Sequence, residues 1–183
     1  MAYTIMLDAG HGGYDNGASF EGRLEKDDNL SLTLAIGDIL SSYGFSVLYT
    51  RTTDVYDSPF QKATKGNEAG ADIFLSIHRN SSLVPNLYNG VESLVYSDNG
   101  LPALLAENIN ARLQQIGFVN LGVNERPNLI VLNSTNMPAV LVEVGFINSD
   151  KDNNLLDNRF NDVAYAIADG VAMTIYPQNY PSM

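Results

Sequence analysis

The sequence predicts a single α/β domain, a twisted, mostly parallel or mixed sheet of about six strands with helices on both faces. Three observations predict it. The chain has 183 residues, the size of one domain with a sizeable core. Apolar runs bounded by Gly, Asp or Asn alternate along it with amphipathic runs. Its only two histidines each close an apolar run, beside the sheet edge where α/β folds gather their ligands.

The strands are expected at residues 3–8, 45–50, 72–77, 90–96, 129–132 and 139–144. Most are continuous apolar runs, as in strands buried on both faces. Between them lie helical stripes. In residues 29–43, Leu32, Ala35, Ile36, Ile39, Leu40 and Tyr43 recur at helical spacing, and Gly44 supplies the stop. A shorter helix is expected over residues 59–69. Pro102 suits the first turn of a third, which carries Leu105, Ile109, Leu113 and Ile116. The last uses Phe160, Val163, Ala164, Ile167, Ala168, Val171 and Ile175. These stripes read as core packing. Residues 1–176 are expected to form the domain, and residues 177–183, with two prolines and no periodicity, a tail or the start of a linker.

There are no cysteines, so a metal site here must use His, Asp or Glu. The net charge of −11 argues against nucleic acid and anionic membranes as partners. No apolar run approaches the ~20 residues of a membrane span. The first residues show no basic segment ahead of an apolar one, so no secretory signal is visible in this chain.

Four motifs carry the chemistry. Leu7-Asp-Ala-Gly-His-Gly-Gly-Tyr-Asp-Asn-Gly-Ala18 is a glycine-rich loop that can curl around whatever His11 holds. It lacks the Lys-Ser/Thr ending of a phosphate-binding loop. Arg23-Leu-Glu-Lys-Asp-Asp-Asn-Leu30 places Glu25 just ahead of the first helix, where a carboxylate also favours the helix end. Ser76-Ile-His-Arg-Asn-Ser81 holds His78, Arg79 and Asn80. Pro138-Ala-Val-Leu-Val-Glu-Val-Gly-Phe-Ile-Asn148 sets Glu143 among valines, which is unfavourable unless it is paired, hydrogen-bonded or near a cation. The blander reading of Glu143 is an exposed position on an edge strand. Two imidazoles and one carboxylate satisfy the protein side of a catalytic zinc centre. A further carboxylate near the attacking water completes a metal-assisted hydrolase.

In this order the motifs resemble the zinc-dependent N-acetylmuramoyl-L-alanine amidases of the family often called amidase type 3. The matching stretches are Asp8-Ala-Gly-His-Gly-Gly13, Glu25-Lys-Asp27, Leu48-Tyr-Thr-Arg51, Ala71-Asp-Ile-Phe-Leu-Ser-Ile-His-Arg-Asn80 and Leu141-Val-Glu-Val-Gly-Phe146. The resemblance runs over residues 3–176. It implies His11, Glu25 and His78 as ligands of one zinc ion at the carboxyl ends of the strands, and Glu143 as the catalytic carboxylate. It implies hydrolysis of the amide joining the lactyl group of N-acetylmuramic acid to L-alanine in peptidoglycan.

Asp8 and Asp15 are candidates to orient a ligand histidine. Asn80 is a candidate to hold its loop or bind substrate, and Arg79 to meet a stem-peptide carboxylate or form an exposed salt bridge. The chain departs from the family in two places. Gln61, Lys62 and Lys65 occupy a helix that commonly carries an arginine, and Leu121-Gly-Val-Asn-Glu-Arg-Pro-Asn128 only loosely matches the usual Asn-Arg-Gly turn. Both bear on substrate contacts. A zinc peptidase acting on stem peptides and a catalytically inert wall-binding module are the competing readings. The substrate places the protein outside the cell or at the wall. It is expected to be monomeric, with retention at the wall left to a separate module because an acidic domain gains little from anionic wall polymers.

Overall fold

The computed structural model describes residues 2–179. The elements in chain order are β1 (Thr4–Ala9), a small hairpin of β2 (Ser19–Phe20) and β3 (Arg23–Leu24), α1 (Glu25–Ser42), β4 (Ser46–Tyr49), α2 (Pro59–Glu68) and β5 (Ile73–Asn80). They continue with β6 (Val91–Val95), α3 (Gly100–Gln115), β7 (Asn120–Glu125), α4 (Ile130–Asn133), β8 (Ala139–Phe146), α5 (Asp150–Asn158) and α6 (Phe160–Ile175). Six strands form one sheet in the order β4-β1-β5-β8-β6-β7. β4, β1, β5 and β8 are parallel, while β6 runs antiparallel to β8 and β7 parallel to β6. No described helix is long and apolar enough to cross a membrane.

Strand side chains alternate between the two faces. Ile5, Leu7, Ile73, Leu75, Ile77, Val140, Val142 and Val144 build the larger core with α1, α3 and α6. The opposite face has a smaller core, in which Met6, Phe74, Leu94 and Leu141 meet Val131 and Leu132 of α4. By the same alternation Asp8, Ser76, His78, Glu143 and Glu92 lie on this second face. It is thus apolar toward the amino ends of the parallel strands and polar toward their carboxyl ends.

Residues 129–132 are not a strand. They enter the short helix α4, which packs against α2 and β8. A four-residue apolar run carries no usable periodicity, and both sides of β8 are already paired with β5 and β6. The sixth strand is instead β7, whose sequence Asn-Leu-Gly-Val-Asn-Glu is too polar to read as one. Helix α5 was also hidden in the polar run Asp-Lys-Asp-Asn-Asn-Leu-Leu-Asp-Asn; the Ser149 side chain caps it by accepting from Asp152 N. Helix α1 begins four residues earlier than expected, so Glu25 is its first residue. Of the expected tail, Pro177–Asn179 form one 3-10 turn, and residues 180–183 lie outside the described residues.

Candidate metal and catalytic site

His11 follows β1 in a left-handed backbone conformation (φ 60°). The loop doubles back through reciprocal backbone bonds between Gly12 and Asp15. This brings Asp15 Oδ2 to 2.9 Å from His11 Nδ1 and leaves Nε2 facing Glu25 Oε2 at 3.2 Å. His78 lies within β5, two residues before its end, with Nδ1 2.9 Å from Glu25 Oε1. The two rings meet edge to face with centroids 4.9 Å apart. Two glycines make room for this packing. A Cβ on Gly10 would fall 2.4 Å from the His78 ring, and one on Gly17 would fall 2.5 Å from Glu25 Oε2.

Glu25 is 4% exposed. Ala18 N donates to its Oε2 at 2.8 Å, and Arg79 N donates to its Oε1 at 3.1 Å. Burial alone would raise its pKa, but hydrogen bonds and charge from His11 and His78 hold it far below the usual carboxylate range. Burial would likewise lower His11, yet Glu25 and then Asp15 raise it to about 9. Ligand atoms of His11, Glu25 and His78 all lie within 4.8 Å of one another, so the three residues form a cluster compatible with a divalent cation. The donors suit such an ion: two imidazoles and a carboxylate that stays ionised.

Glu143 sits on β8, directly opposite His78 on one side and Glu92 on the other. Its strand is internal, so the edge-strand reading does not hold. Its Oε2 is buried with no hydrogen-bond partner among the described residues, an arrangement that disfavours the ionised form. Burial raises its pKa to about 7, and Glu25 and Glu92 reinforce this.

Asp15 touches a histidine; Asp8 does not. Asp8 is fully buried, accepting from Lys62 Nζ and Thr50 Oγ1 at 2.7 Å each and from Ser76 Oγ at 2.6 Å. Lys62 Nζ also donates to the carbonyls of Ala9 (2.5 Å) and His11 (3.3 Å), so the pair acts on His11 through its backbone. Asn80 donates to Glu92 Oε2 at 3.1 Å and accepts from Ser81 N at 2.8 Å, holding its own loop. Arg79 is a correction. Its side chain is 2% exposed, paired with Asp28 and bonded to Phe146 O and Asn153 Oδ1, out of reach of a ligand. It follows His78 on a strand and so points to the other face.

The departures at Gln61, Lys62 and Lys65 are structural. Gln61 completes a capping box with Ser58, and Lys65 donates to Thr50 O and Asp57. Sequence reasoning passed over Glu92, which accepts from Asn80 and Asn124 and lies 3.6 Å from Arg126. The signal was present: Val91-Glu-Ser-Leu-Val95 is an apolar strand interrupted by a carboxylate, as at Glu143. It also passed over the role of Arg51, a buried guanidinium that donates to the carbonyls of Ala9, Gly10 and Lys26.

Beside the cluster opens a cleft of about 290 Å³. Asp15 and Asp57 line it together with His11 and His78, and Leu129, Ile130, Val131 and Leu141 supply apolar wall.

The family model described as N-acetylmuramoyl-L-alanine amidase matches residues 5–173. The chain is 37% identical over 179 residues to the endolysin of Bacillus phage SPP1, covering 94% of this chain and 66% of that protein. It is 38% identical over 156 residues to the sporulation-specific N-acetylmuramoyl-L-alanine amidase of Bacillus subtilis, covering 83% of this chain and 59% of that protein. The chain therefore spans less than two thirds of the length of either relative. The solved structure of the N-acetylmuramoyl-L-alanine amidase AmiC2 of Nostoc punctiforme superposes with a TM-score of 0.87 at 30% identity, covering 94% of this chain and 97% of that one.

Proposed function

The chain belongs to the N-acetylmuramoyl-L-alanine amidase family, and we propose accordingly that it hydrolyses the amide between the lactyl group of N-acetylmuramic acid and L-alanine of the peptidoglycan stem peptide. His11, Glu25 and His78 would hold one zinc ion, a preference that follows from their imidazole and carboxylate donors. In this reading residues 1–176 are the catalytic unit, residues 177–183 a tail or the start of a linker, and the protein acts outside the cell or at the wall. The observation that carries the reading is the buried, partly unpartnered carboxyl of Glu143 beside the histidine–glutamate cluster.

When bound, zinc supplies Lewis acidity toward the scissile carbonyl and toward water. The remaining steps belong to the chain. Glu143, buried beside the cluster, accepts a proton from the attacking water and passes it to the nitrogen of L-alanine as the C–N bond breaks. The products are a lactyl carboxylic acid and a free amine. Asp15 at Nδ1 fixes the tautomer of His11 and leaves Nε2 facing the cluster.

Digestion of purified peptidoglycan, with fragments identified by mass spectrometry, tests bond and metal together. Stem peptides with a free L-alanine amine should appear beside intact sugar chains, vanish with chelator and return with added zinc. Peptides cut internally and still attached to muramic acid would establish the peptidase instead, and no fragments at all an inert binder.

The metal-free cluster also predicts a proton count. With His11 raised to about 9, its contribution to metal-free stability is complete below the unfolded pKa of about 6.5. That contribution is lost as pH rises through about 9. Zinc binding at pH 7 must therefore displace about one proton from it. Titration calorimetry in two buffers of different ionisation enthalpy should show that release at pH 7, and little of it above pH 9. Heats independent of buffer at pH 7 would contradict it.

Retention at the wall is assigned in the same reading to a separate module, because this chain carries a net charge of −11. The isolated chain should stay in the supernatant when intact walls are pelleted at low salt; tight co-sedimentation would refute this.

A further inference from the structure

An exposed aromatic pair stands at the rim of the cleft. The rings of Tyr14 and Tyr56 are stacked with centroids 4.2 Å apart and planes 29° from parallel. Tyr14 is 79% exposed and Tyr56 37%. Each immediately precedes a cleft-lining residue, Asp15 and Asp57, and Tyr14 sits in the same loop as His11.

This pair is built on a fixed scaffold. Gly13 N donates to Asp54 Oδ1 at 2.7 Å, and Lys26 Nζ ties Gly13 O (2.7 Å) to Asp54 Oδ2 (2.8 Å). The loops touch through their backbones: a Cβ on Gly12 would lie 2.2 Å from Val55 O. Holding an aromatic face rigid in water contributes little to folding. It does prepare a surface for a ligand with a flat, weakly polar face.

The local charge narrows the ligand class. Asp15, Asp54 and Asp57 surround the pair, and Lys26 and Lys65 are already engaged with Asp54 and Asp57. Each of these carboxylates is paired, Asp15 with His11, so this group offers a stem-peptide carboxylate no free cation, while an uncharged sugar ring needs none. The C–H face of a pyranose is apolar and slightly positive, which suits the negative face of a phenol ring. The half-exposed cation Arg126 lies elsewhere, against Glu92 on the far side of Glu143.

We propose that the stacked Tyr14–Tyr56 pair is a saccharide platform, seating a pyranose ring of the glycan strand so that its lactyl amide reaches the His11–Glu25–His78 cluster. The inference rests on the amidase reading above and adds the direction in which substrate lies, glycan toward Tyr14 and peptide toward Arg126.

The test compares kcat/KM on a muramoyl-peptide with that on the corresponding lactoyl-peptide, which has the same amide and no sugar. In wild type the ratio should favour the muramoyl substrate. In Tyr14→Ala and Tyr56→Ala it should fall roughly three- to tenfold, the range of an aromatic stacking contact, mainly through KM. Tyr14→Phe should keep it. Peptide-free glycan chains, titrated by NMR, should bind wild type and bind Tyr14→Ala more weakly by the same factor. An active enzyme whose ratio and glycan affinity are unchanged in both alanine variants would overturn the platform alone. A folded, zinc-loaded wild type that cleaves neither substrate would overturn the amidase reading and the platform with it.

Discussion

Glu143→Gln is expected to lower kcat on peptidoglycan by about 10²–10⁴-fold, the usual worth of a positioned general acid–base group, with zinc content unchanged. The amide keeps the shape of the side chain and removes its ability to take a proton. The cluster of His11, Glu25 and His78 does not include Glu143, so metal measured by elemental analysis should match wild type. The substitution also removes a titratable group whose ionised form is disfavoured by burial and by Glu25 and Glu92. Stability should therefore stay equal or rise, as is common where a catalytic group is held against its folding preference. Normal turnover in this variant would remove Glu143 from its role, and loss of zinc would move it into the metal site.

The largest effect on stability is expected at Lys62. Lys62→Met keeps much of the volume but leaves the Asp8 carboxylate buried without its cation, and three contacts of Nζ disappear at once. Breaking one partner of a buried pair costs about 3–5 kcal/mol, readable as a lowered midpoint in urea unfolding at pH 7. The pH dependence provides a check. Burial alone would raise Asp8, but Lys62, Ser76 and Thr50 hold it below 3.8 in the wild type. It therefore stabilises the fold above that value, and the contribution fades as pH falls through its lower folded pKa. Without Lys62 the buried carboxyl prefers its proton, so the difference between variant and wild type should shrink markedly by pH 4. Lys62→Arg should lose much less, since a guanidinium can still meet Asp8. An unchanged midpoint in Lys62→Met would mean that this network does not hold β1 to α2.

Much of the site could be read from the chain because its residues break a pattern. His11 and His78 end apolar runs, and Glu143 interrupts one; each stands where a hydrophobic side chain would be the cheaper choice. Glu92 breaks its strand in the same way, but its significance depends on lying beside Glu143 across β6 and β8, a pairing of strands far apart in sequence. Lys62 first stood out only as a departure from the family's usual arginine; packing shows its amine turned inward to Asp8. Arg79 misled for the converse reason. The residue after His78 on a strand must face the opposite way, and there it meets α1 and the start of α5.

The α/β class, most strands and helices, and the residue types available for metal and proton chemistry are legible in the chain alone. Those follow from local rules: the periods of 2 and 3.6 residues, glycine where the loop must turn, and the energetic penalty of a lone polar group in an apolar run. Long-range packing is what makes residues 129–132 part of a helix rather than a strand and adds β7 at the edge of the sheet. The same packing brings His11, Glu25 and His78 together, turns Arg79 away and stacks Tyr14 on Tyr56. Each of these depends on which edge, face or loop is left free once distant segments have packed, and a short stretch of chain carries no record of that competition.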